Sequence, residues 1–276
     1  MEESPVPLKP PVWTWEVPVY FFVGGAAGAA AIIAGLGHET GSDAAVVTDA
    51  RWMAAAGGIL AALLLISDLG RPARFLNMLR VFKRRSPMSV GAWTLAVFST
   101  AIFAAIGARA VWPMPAVAVV ADLVAATAGA ILATYTGVLI GATAVPVWAR
   151  HAATLPLHFG ASALGAAVSL LELIGHRALS LNRLGLAAAA AETALLIYLE
   201  SSRDRIARTV FSGPSGVLVR LGAWLTGPVP LVLRLIPALR LAAAVSMVSG
   251  SLVSRFGWIA AGRRSATDRS AALGEP

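Results

Sequence analysis

Apolar runs of about 20 residues recur along this chain of 276 residues, and they limit its fold more than any other feature. A helix that rises 1.5 Å per residue needs about 20 residues to cross the ~30 Å hydrocarbon core of a bilayer. Open sheets cannot satisfy their backbone in lipid, and the short alternating pattern of a β-barrel is absent. Because 58% of the residues are hydrophobic and only 13% are charged, a water-soluble surface is excluded. The sequence predicts an all-α integral membrane protein.

The apolar runs predict about eight transmembrane helices. Glycines in the first run provide a small-residue face for close helix packing, and residues 38–51 are expected to form a polar loop. We divide the chain into an interfacial lead-in (1–16), a membrane domain (17–261) and a polar C-terminal tail (262–276). Spans 1–4 are expected to form one four-helix bundle and spans 5–8 a second. The spans lie at about 17–37, 52–67, 89–111, 116–145, 152–174, 184–199, 215–233 and 239–260.

The distribution of basic residues predicts how the protein is oriented in the cell membrane. With eight spans both termini lie on one side, and that side carries fourteen Lys and Arg residues against six on the other. The positive-inside rule then places both termini in the cytoplasm. The net charge of +8 is not taken as a sign of nucleic-acid binding, because the basic residues flank membrane spans and have few aromatic neighbours.

The chain contains no cysteine and only four histidines. Without cysteine it holds neither a disulfide nor an iron–sulfur cluster of its own. Three of the histidines fall at span ends and only His158 lies inside a span, so a b-type haem with two facing axial histidines is not expected. We predict no metal site in this chain.

Four stretches of sequence, all in the first half of the chain, resemble the NrfD/PsrC family. The C-terminal Ala261-Gly-Arg-Arg-Ser-Ala266 is also similar to that family. The resemblance is strong in spans 1–4 and looser in spans 5–8. The four stretches are Trp15-Glu-Val-Pro-Val-Tyr-Phe-Phe-Val-Gly-Gly25, Ser67-Asp-Leu-Gly-Arg-Pro-Ala-Arg-Phe75, Pro87-Met-Ser-Val-Gly-Ala-Trp93 and Tyr135-Thr-Gly137.

The resemblance implies a polysulfide reductase-type, quinone-interacting membrane subunit without haem. Such a subunit exchanges electrons and protons between membrane quinone or quinol, either menaquinone or ubiquinone, and an iron–sulfur partner subunit. Through that partner it serves a catalytic subunit of a molybdopterin or multihaem complex, and it is not catalytic alone. Membrane lipid is its other partner, and the substrate of the catalytic subunit is not encoded in this chain.

Quinone chemistry moves two protons with two electrons, so the site needs hydrogen-bonding groups and an acid that exchanges protons with water. The predicted topology gathers Glu16 and Tyr20, Asp68, and Tyr135 toward the terminal side of the membrane. By the match to the family, Tyr135 is the first candidate for a quinone ligand. Arg71 belongs to the same predicted site, although Asp68 and Arg71 can also be interpreted as a turn cap and its paired charge.

Three further acids, Asp122, Glu172 and Glu192, lie within spans or at their ends. Ionisable groups at membrane depth usually face a bundle interior or a water path, so we expect them to form a proton relay to the quinone site. Neutral acids that are hydrogen-bonded between helices are the alternative interpretation.

Five basic residues follow the second span and are predicted to dock the partner or to set the topology. The tryptophans near span ends, Trp148 and Trp258 among them, are interpreted as an interfacial belt. The five basic residues are Arg74, Arg80, Lys83, Arg84 and Arg85.

Two other functions remain open from the sequence. The chain could be a passive anchor that holds the iron–sulfur partner without quinone chemistry of its own. It could also be a proton-translocating or transport module, which Glu192 suggests. That class is disfavoured because the two halves show no paired broken helices of the kind found in inverted-repeat transporters.

Overall fold

The computed structural model describes residues 11–39, 43–70, 72–111, 113–202, 204 and 210–267, and all regular structure in these ranges is helical. A single turn of 3₁₀ helix, Pro237–Leu239, precedes the last helix. The α-helices are α1 (Glu16–Glu39), α2 (Ala44–Asp68), α3 (Pro72–Arg80), α4 (Pro87–Ala110), α5 (Pro115–Gly141), α6 (Pro146–Arg150), α7 (Thr154–Leu173), α8 (Leu179–Glu200), α9 (Gly213–Thr226), α10 (Pro228–Leu233) and α11 (Arg240–Thr267).

Within the described ranges, seven segments are long and apolar enough to cross a membrane. They are α1, α2, α4, α5, α7, α9 with α10, and the 3₁₀ turn with α11. The membrane-protein prediction is therefore confirmed. We call the side where α1 begins and α11 ends the terminal face, and the other side the opposite face.

The remaining predicted span coincides with α8, which is 22 residues long but carries Arg183 and Glu192. Near its start, Asn182 accepts a hydrogen bond from Arg234, at the end of α10 on the opposite face. Just after its end, Asp204 pairs with Arg150 on the terminal face. Helix α8 therefore runs from one face to the other and is the eighth crossing.

Two predicted boundaries differ from the structure. Residues 44–51 are not a loop, because Asp43 caps α2 by accepting a hydrogen bond from the backbone of Ala45 at 3.0 Å. The residues after Gly262 start as helix, since α11 continues to Thr267 and buries Ser265. Both segments therefore extend the helices next to them.

The seventh span is broken at Gly227 and Pro228, which separate α9 from α10. Proline has no backbone N–H and cannot continue the hydrogen-bond ladder. In the described part of the first bundle each long helix is continuous, so the break has no counterpart there. Paired broken helices of the transporter type are thus not seen in the described residues.

Two groups of four helices pack side by side. Helices α1, α2, α4 and α5 contact one another, and α7, α8, α9 with α10, and α11 form the second group. Helices α1 and α5 cross at Gly28 and Gly129, where a Cβ atom on either glycine would collide with the carbonyl oxygen of the other. The predicted small-residue face of the first span therefore lets the two backbones touch.

The hydrophobic core is continuous across both bundles and contains two of the tryptophans assigned to the interfacial belt. Trp148 and Trp258 are 0% and 1% exposed, so the belt interpretation is wrong for these two. The indole Nε1 of Trp148 donates to the carbonyl oxygen of Trp258 at 2.8 Å, and its ring stacks on Trp13 with centroids 5.4 Å apart. Because the hydrogen bond satisfies the polar end of the ring, the whole side chain can be buried.

Candidate functional site

Two buried tyrosines lie near each other at the terminal-face half of the first bundle. Tyr20 is 4% exposed and lies one turn into α1, while Tyr135 is 6% exposed and lies in the second half of α5. Tyr20 lies near Leu132, which precedes Tyr135 by one turn on α5, since a Cβ atom on Gly24 would be 3.7 Å from the Tyr20 ring and 4.0 Å from Leu132. Among the described residues neither phenolic hydroxyl has a hydrogen-bond partner. Both hydroxyls are therefore available to a ligand.

Two half-exposed carboxylates lie in the same terminal-face half of the first bundle as these tyrosines. Glu16 precedes Tyr20 by one turn on the same face of α1, and Asp68 is the last residue of α2. The two carboxylates interact with each other, and Thr14 hydrogen-bonds Glu16 and lies beside Asp68. We call Glu16, Tyr20, Asp68 and Tyr135 the tyrosine–carboxylate cluster. Its polar groups pass from buried hydroxyls to carboxylates at the surface, an order that suits proton exchange with water.

The ring of Tyr135 lies directly over Gly91 of α4. A Cβ atom at position 91 would overlap the Cζ, Cε1 and hydroxyl atoms of Tyr135. Only glycine leaves room for the ring in this position. Sequence reasoning assigned no role to Gly91, although it stands inside the stretch Pro87-Met-Ser-Val-Gly-Ala-Trp93 that carries the family resemblance.

The turn after Asp68 has the backbone expected from its sequence. Gly70 has φ +66°, which favours glycine, and its N–H donates to the carbonyl oxygen of Ser67. Arg71 lies outside the described residues, so its predicted pairing with Asp68 stays a prediction. Arg74 donates to the carbonyl oxygen of Leu69 at 3.2 Å and helps to close the turn.

The basic residues predicted to dock a partner are exposed on the terminal face. Arg74 and Arg80 lie on the short amphipathic helix α3, and Lys83, Arg84 and Arg85 lie in the loop before α4. Side chains at all five positions are exposed. A cationic surface therefore borders the tyrosine–carboxylate cluster on the same face.

The three predicted relay acids are not equivalent. Asp122 of α5 lies between two arginines near the opposite face. It accepts two hydrogen bonds of 2.9 Å from Arg51 of α2 and one of 2.5 Å from Arg109 of α4. Asp122 and Arg51 are 3% and 5% exposed. Through these hydrogen bonds the carboxyl group of Asp122 links three helices.

Glu172 of α7 has an equivalent environment in the second bundle. Its carboxylate, which is 0% exposed, pairs with Arg234 at 2.8 Å and with Arg240 at 2.7 Å. Arg234 is also held by Ser169 at 3.0 Å. Both bundles therefore hold a buried carboxylate between two guanidinium groups at the opposite face.

Glu192 of α8 lies deeper and is bound by a histidine instead of two arginines. One carboxylate oxygen contacts His158 Nδ1 at 2.8 Å and accepts a hydrogen bond of 3.0 Å from Thr226. Nε2 of His158 in turn lies 2.7 Å from the hydroxyl of Ser254. Thr226 ends α9, so this cluster lies at the break between α9 and α10. The other carboxylate oxygen of Glu192 is buried without a partner in the described part of the chain.

Arg255 of α11 lies close enough to Glu192 for their charges to interact. It is 0% exposed, and its guanidinium lies 3.8 Å from the centroid of the Phe159 ring. It donates to the hydroxyl of Ser162 at 2.8 Å, while Nε and Nη1 are buried without a hydrogen-bond partner among the described atoms. Buried polar atoms of this kind are usually satisfied by internal water.

A family model described as polysulphide reductase, NrfD, matches residues 4–262. The chain belongs to the NrfD family. No curated protein matches it. NrfD proteins are membrane subunits of oxidoreductase complexes, and this chain is an integral membrane protein with the helices such a subunit needs. The family resemblance read from the sequence is thus confirmed.

The structure places Glu16, Tyr20, Asp68 and Tyr135 in the terminal-face half of the first bundle. It keeps the three relay acids apart, with Asp122 and Glu172 each between two arginines and Glu192 beside His158. Sequence reasoning missed the residues that surround each acid. The sequence offers little to mark these residues as partners of the acids, because an arginine at a span end is also a topology determinant. The residues missed are Thr14, Arg51, Gly91, Arg109, His158, Thr226, Arg234, Arg240 and Arg255.

Proposed function

We propose that this NrfD-family chain is the quinone-reactive membrane subunit of an oxidoreductase complex. It exchanges electrons and protons between membrane quinone or quinol and an iron–sulfur partner subunit. The observation that carries the proposal is the tyrosine–carboxylate cluster, in which the hydroxyls of two largely buried tyrosines lack hydrogen-bond partners in the described ranges and carboxylates lie nearer the surface. The carbonyl oxygens of a quinone accept hydrogen bonds, and phenolic hydroxyls donate them.

The residues present fit such a ligand. Tyr135 and Tyr20 donate hydrogen bonds to the quinone oxygens, and Gly91 leaves the space that Tyr135 needs. Asp68 and Glu16 exchange protons between the buried hydroxyls and water at the terminal face. A bound quinone supplies the redox chemistry, because its interconversion with quinol carries two electrons and two protons.

The iron–sulfur partner docks on the terminal face, where the exposed cations lie. The chain has no cysteine, so the cluster that exchanges electrons with the quinone belongs to the partner. When an acidic surface of the partner docks on these cations, the partner's iron–sulfur cluster lies on the same side of the membrane as Tyr135. By the positive-inside rule this side is cytoplasmic.

Protons also reach the site through the second bundle in this proposal, and Glu192 is the acid best suited to carry them. It has an unpartnered carboxylate oxygen within the described structure and contacts the titratable side chain of His158. Asp122 and Glu172 are each held by two arginines. Their place in the relay is therefore a weaker part of the proposal.

Substitution of the cluster residues tests the proposed function in membranes that contain the whole complex. Tyr135→Phe and Asp68→Asn are each expected to lower quinone-coupled turnover by about a hundredfold or more, since positioned acid–base groups typically contribute that much. Activity of the catalytic partner with an artificial electron carrier should stay unchanged. Tyr198→Phe is the matched control, because Tyr198 is 62% exposed on α8.

Wild-type quinone rates in both Tyr135→Phe and Asp68→Asn would overturn the proposal. The passive-anchor alternative makes a separate prediction. It requires that the purified complex contains no quinone and that quinone analogues do not inhibit it.

A further inference from the structure

A continuous apolar groove runs along the outer surface of the first bundle between α4 and α5. It consists of two adjoining cavities of about 660 and 790 Å³. The cavities share Trp93, Val97, Val120 and Val124, so they form one feature, which we call the α4–α5 groove. Val97 and Val120 are 45% and 61% exposed. Since both helices span the membrane, the groove opens toward lipid.

The lining of the groove suits a hydrocarbon chain and not a polar headgroup. In the part nearer the terminal face, the only hydroxyl-bearing residues are Thr94 and Thr127. Each hydroxyl donates at 2.8 Å to a carbonyl oxygen of its own helix, on Val90 and Leu123. Neither is left to recognise a quinone ring or a phosphate. The other polar groups of the lining are the hydroxyl of Thr100 and the indole N–H of Trp93, which is buried without a partner among the described residues, and the rest of the lining is apolar.

The groove is longer than the hydrocarbon part of one leaflet of the bilayer. Its lining on α4 extends from Val90 to Ala104, which is about 21 Å at 1.5 Å per residue. One leaflet contributes about 15 Å of hydrocarbon, half of the usual core. A lipid acyl chain inserted from the terminal face therefore stays in contact with the groove along its whole length.

Three cations lie at the terminal-face end of the groove. Phe82 lines that end, and Lys83, Arg84 and Arg85 follow it directly, all with exposed side chains. The loop is tied to the first turn of α4, because the hydroxyl of Ser89 accepts from the backbone N–H of Lys83 at 3.0 Å and donates to the carbonyl oxygen of Val81 at 3.3 Å. The described residues from 74 to 90 contain no acid, so this end of the groove is uniformly positive.

We propose that the α4–α5 groove and the loop of Lys83, Arg84 and Arg85 bind an anionic phospholipid. An acyl chain fills the groove and the phosphate lies against the three cations. Each basic residue near a membrane surface strengthens attraction to anionic lipid about fivefold. The charge on the loop thus selects an anionic over a zwitterionic headgroup. Arg74 and Arg80 lie on α3 and remain available for the partner subunit.

Lipid exchange on the purified whole complex tests this site. The complex is equilibrated with mixed vesicles of phosphatidylglycerol and phosphatidylcholine, re-isolated, and its bound lipid is measured by native mass spectrometry. Wild type should retain phosphatidylglycerol preferentially. The triple variant K83Q/R84Q/R85Q should lose that preference, by about fivefold for each removed charge. The double variant R74Q/R80Q is the control and should retain more of the preference than the triple variant.

A second pair of variants tests the groove separately from the charges. Val97→Trp and Val120→Trp each fill the groove from one wall, and both positions are exposed on the lipid side, so the larger ring does not have to enter the core. Both should lose bound phospholipid while the protein elutes and melts as wild type does.

Several outcomes would overturn the proposal. They are unchanged lipid preference in K83Q/R84Q/R85Q, an equal loss in R74Q/R80Q, lipid retained by the folded tryptophan variants, or quinone replacing phospholipid as the bound molecule. Loss of the iron–sulfur partner with lipid retained in the triple variant would assign the cations to that partner instead. None of these results affects the role proposed for Tyr135, which is measured by turnover.

Discussion

At the scale of single residues, the site depends on small side chains that make room for large ones. Gly91 lies under the ring of Tyr135, and a Cβ atom there would overlap the ring. The same relation recurs in the second bundle, where a Cβ atom on Gly185 would collide with the guanidinium of Arg234. A polar side chain at membrane depth is therefore positioned by a glycine on the neighbouring helix as well as by its hydrogen bonds.

Gly91→Ala should displace Tyr135 and lower quinone-coupled turnover at least tenfold, with a loss of about 1–3 kcal/mol in the free energy of unfolding from overpacking. Turnover and thermal unfolding of the purified complex measure the two effects. Gly107→Ala is the control on the same helix, because a Cβ atom there meets no atom within 4 Å. If both variants had equal turnover, the space at Gly91 would be irrelevant to the site.

At the scale of helices, buried charges connect elements that are distant in sequence. Asp122 joins α5 to Arg51 on α2 and Arg109 on α4. Glu192 joins α8 to His158 on α7 and to Thr226 at the end of α9. The first carboxylate is fully enclosed by guanidinium groups, whereas the second keeps one oxygen unpartnered in the described structure. Because of this difference, the proposed proton-carrying role falls to Glu192 and a structural role is expected for Asp122.

The same amide substitution at the two acids should therefore have different effects. Asp122→Asn leaves two arginines without their carboxylate and should lower the free energy of unfolding by about 3–5 kcal/mol. Glu192→Gln keeps hydrogen-bonding groups for Thr226 and His158, so it should fold and instead reduce proton movement during quinone turnover. Unfolding and proton uptake in reconstituted vesicles measure these outcomes. A stable Asp122→Asn protein with impaired proton uptake would place Asp122 in the relay.

At the scale of the whole molecule, the two faces differ in how their basic residues are used. On the opposite face Arg51, Arg109, Arg234 and Arg240 pair with buried acids. On the terminal face the cations of α3 and the following loop are exposed. The two faces therefore differ more in unpaired positive charge than in their numbers of Lys and Arg residues. The positive-inside rule counts Lys and Arg whether or not they are paired, and by that count the terminal face is expected to be cytoplasmic.

Cysteine labelling checks both the orientation and the crossing of α8. The chain has no cysteine, so Ser180→Cys and Ser201→Cys, at exposed positions near the two ends of α8, each give a single thiol. A membrane-impermeant maleimide should label Ser180→Cys in right-side-out vesicles and Ser201→Cys in inside-out vesicles. Labelling of both from one side would show that α8 does not cross, and the reverse pattern would place the terminal face outside.

The amino-acid sequence alone determined the class of the protein, its spans and the family to which it belongs. Apolar runs predict spans because lipid offers the backbone no hydrogen-bond partner, and the family stretches lie within the matched residues 4–262. Successive spans cross the membrane in opposite directions. The sequence therefore also placed Glu16, Tyr20, Asp68 and Tyr135 toward one face.

Only the tertiary structure decided which residues meet within a bundle. The rotation of each helix about its axis is fixed by packing with its neighbours, and the nearly uniform hydrophobicity of a span gives little sign of it. The sequence therefore could not show that Gly91 lies under Tyr135, that Arg51 and Arg109 enclose Asp122, or that His158 reaches Glu192. Those contacts join residues up to 71 positions apart, as Arg51 and Asp122 are, and depend on how the helices pack.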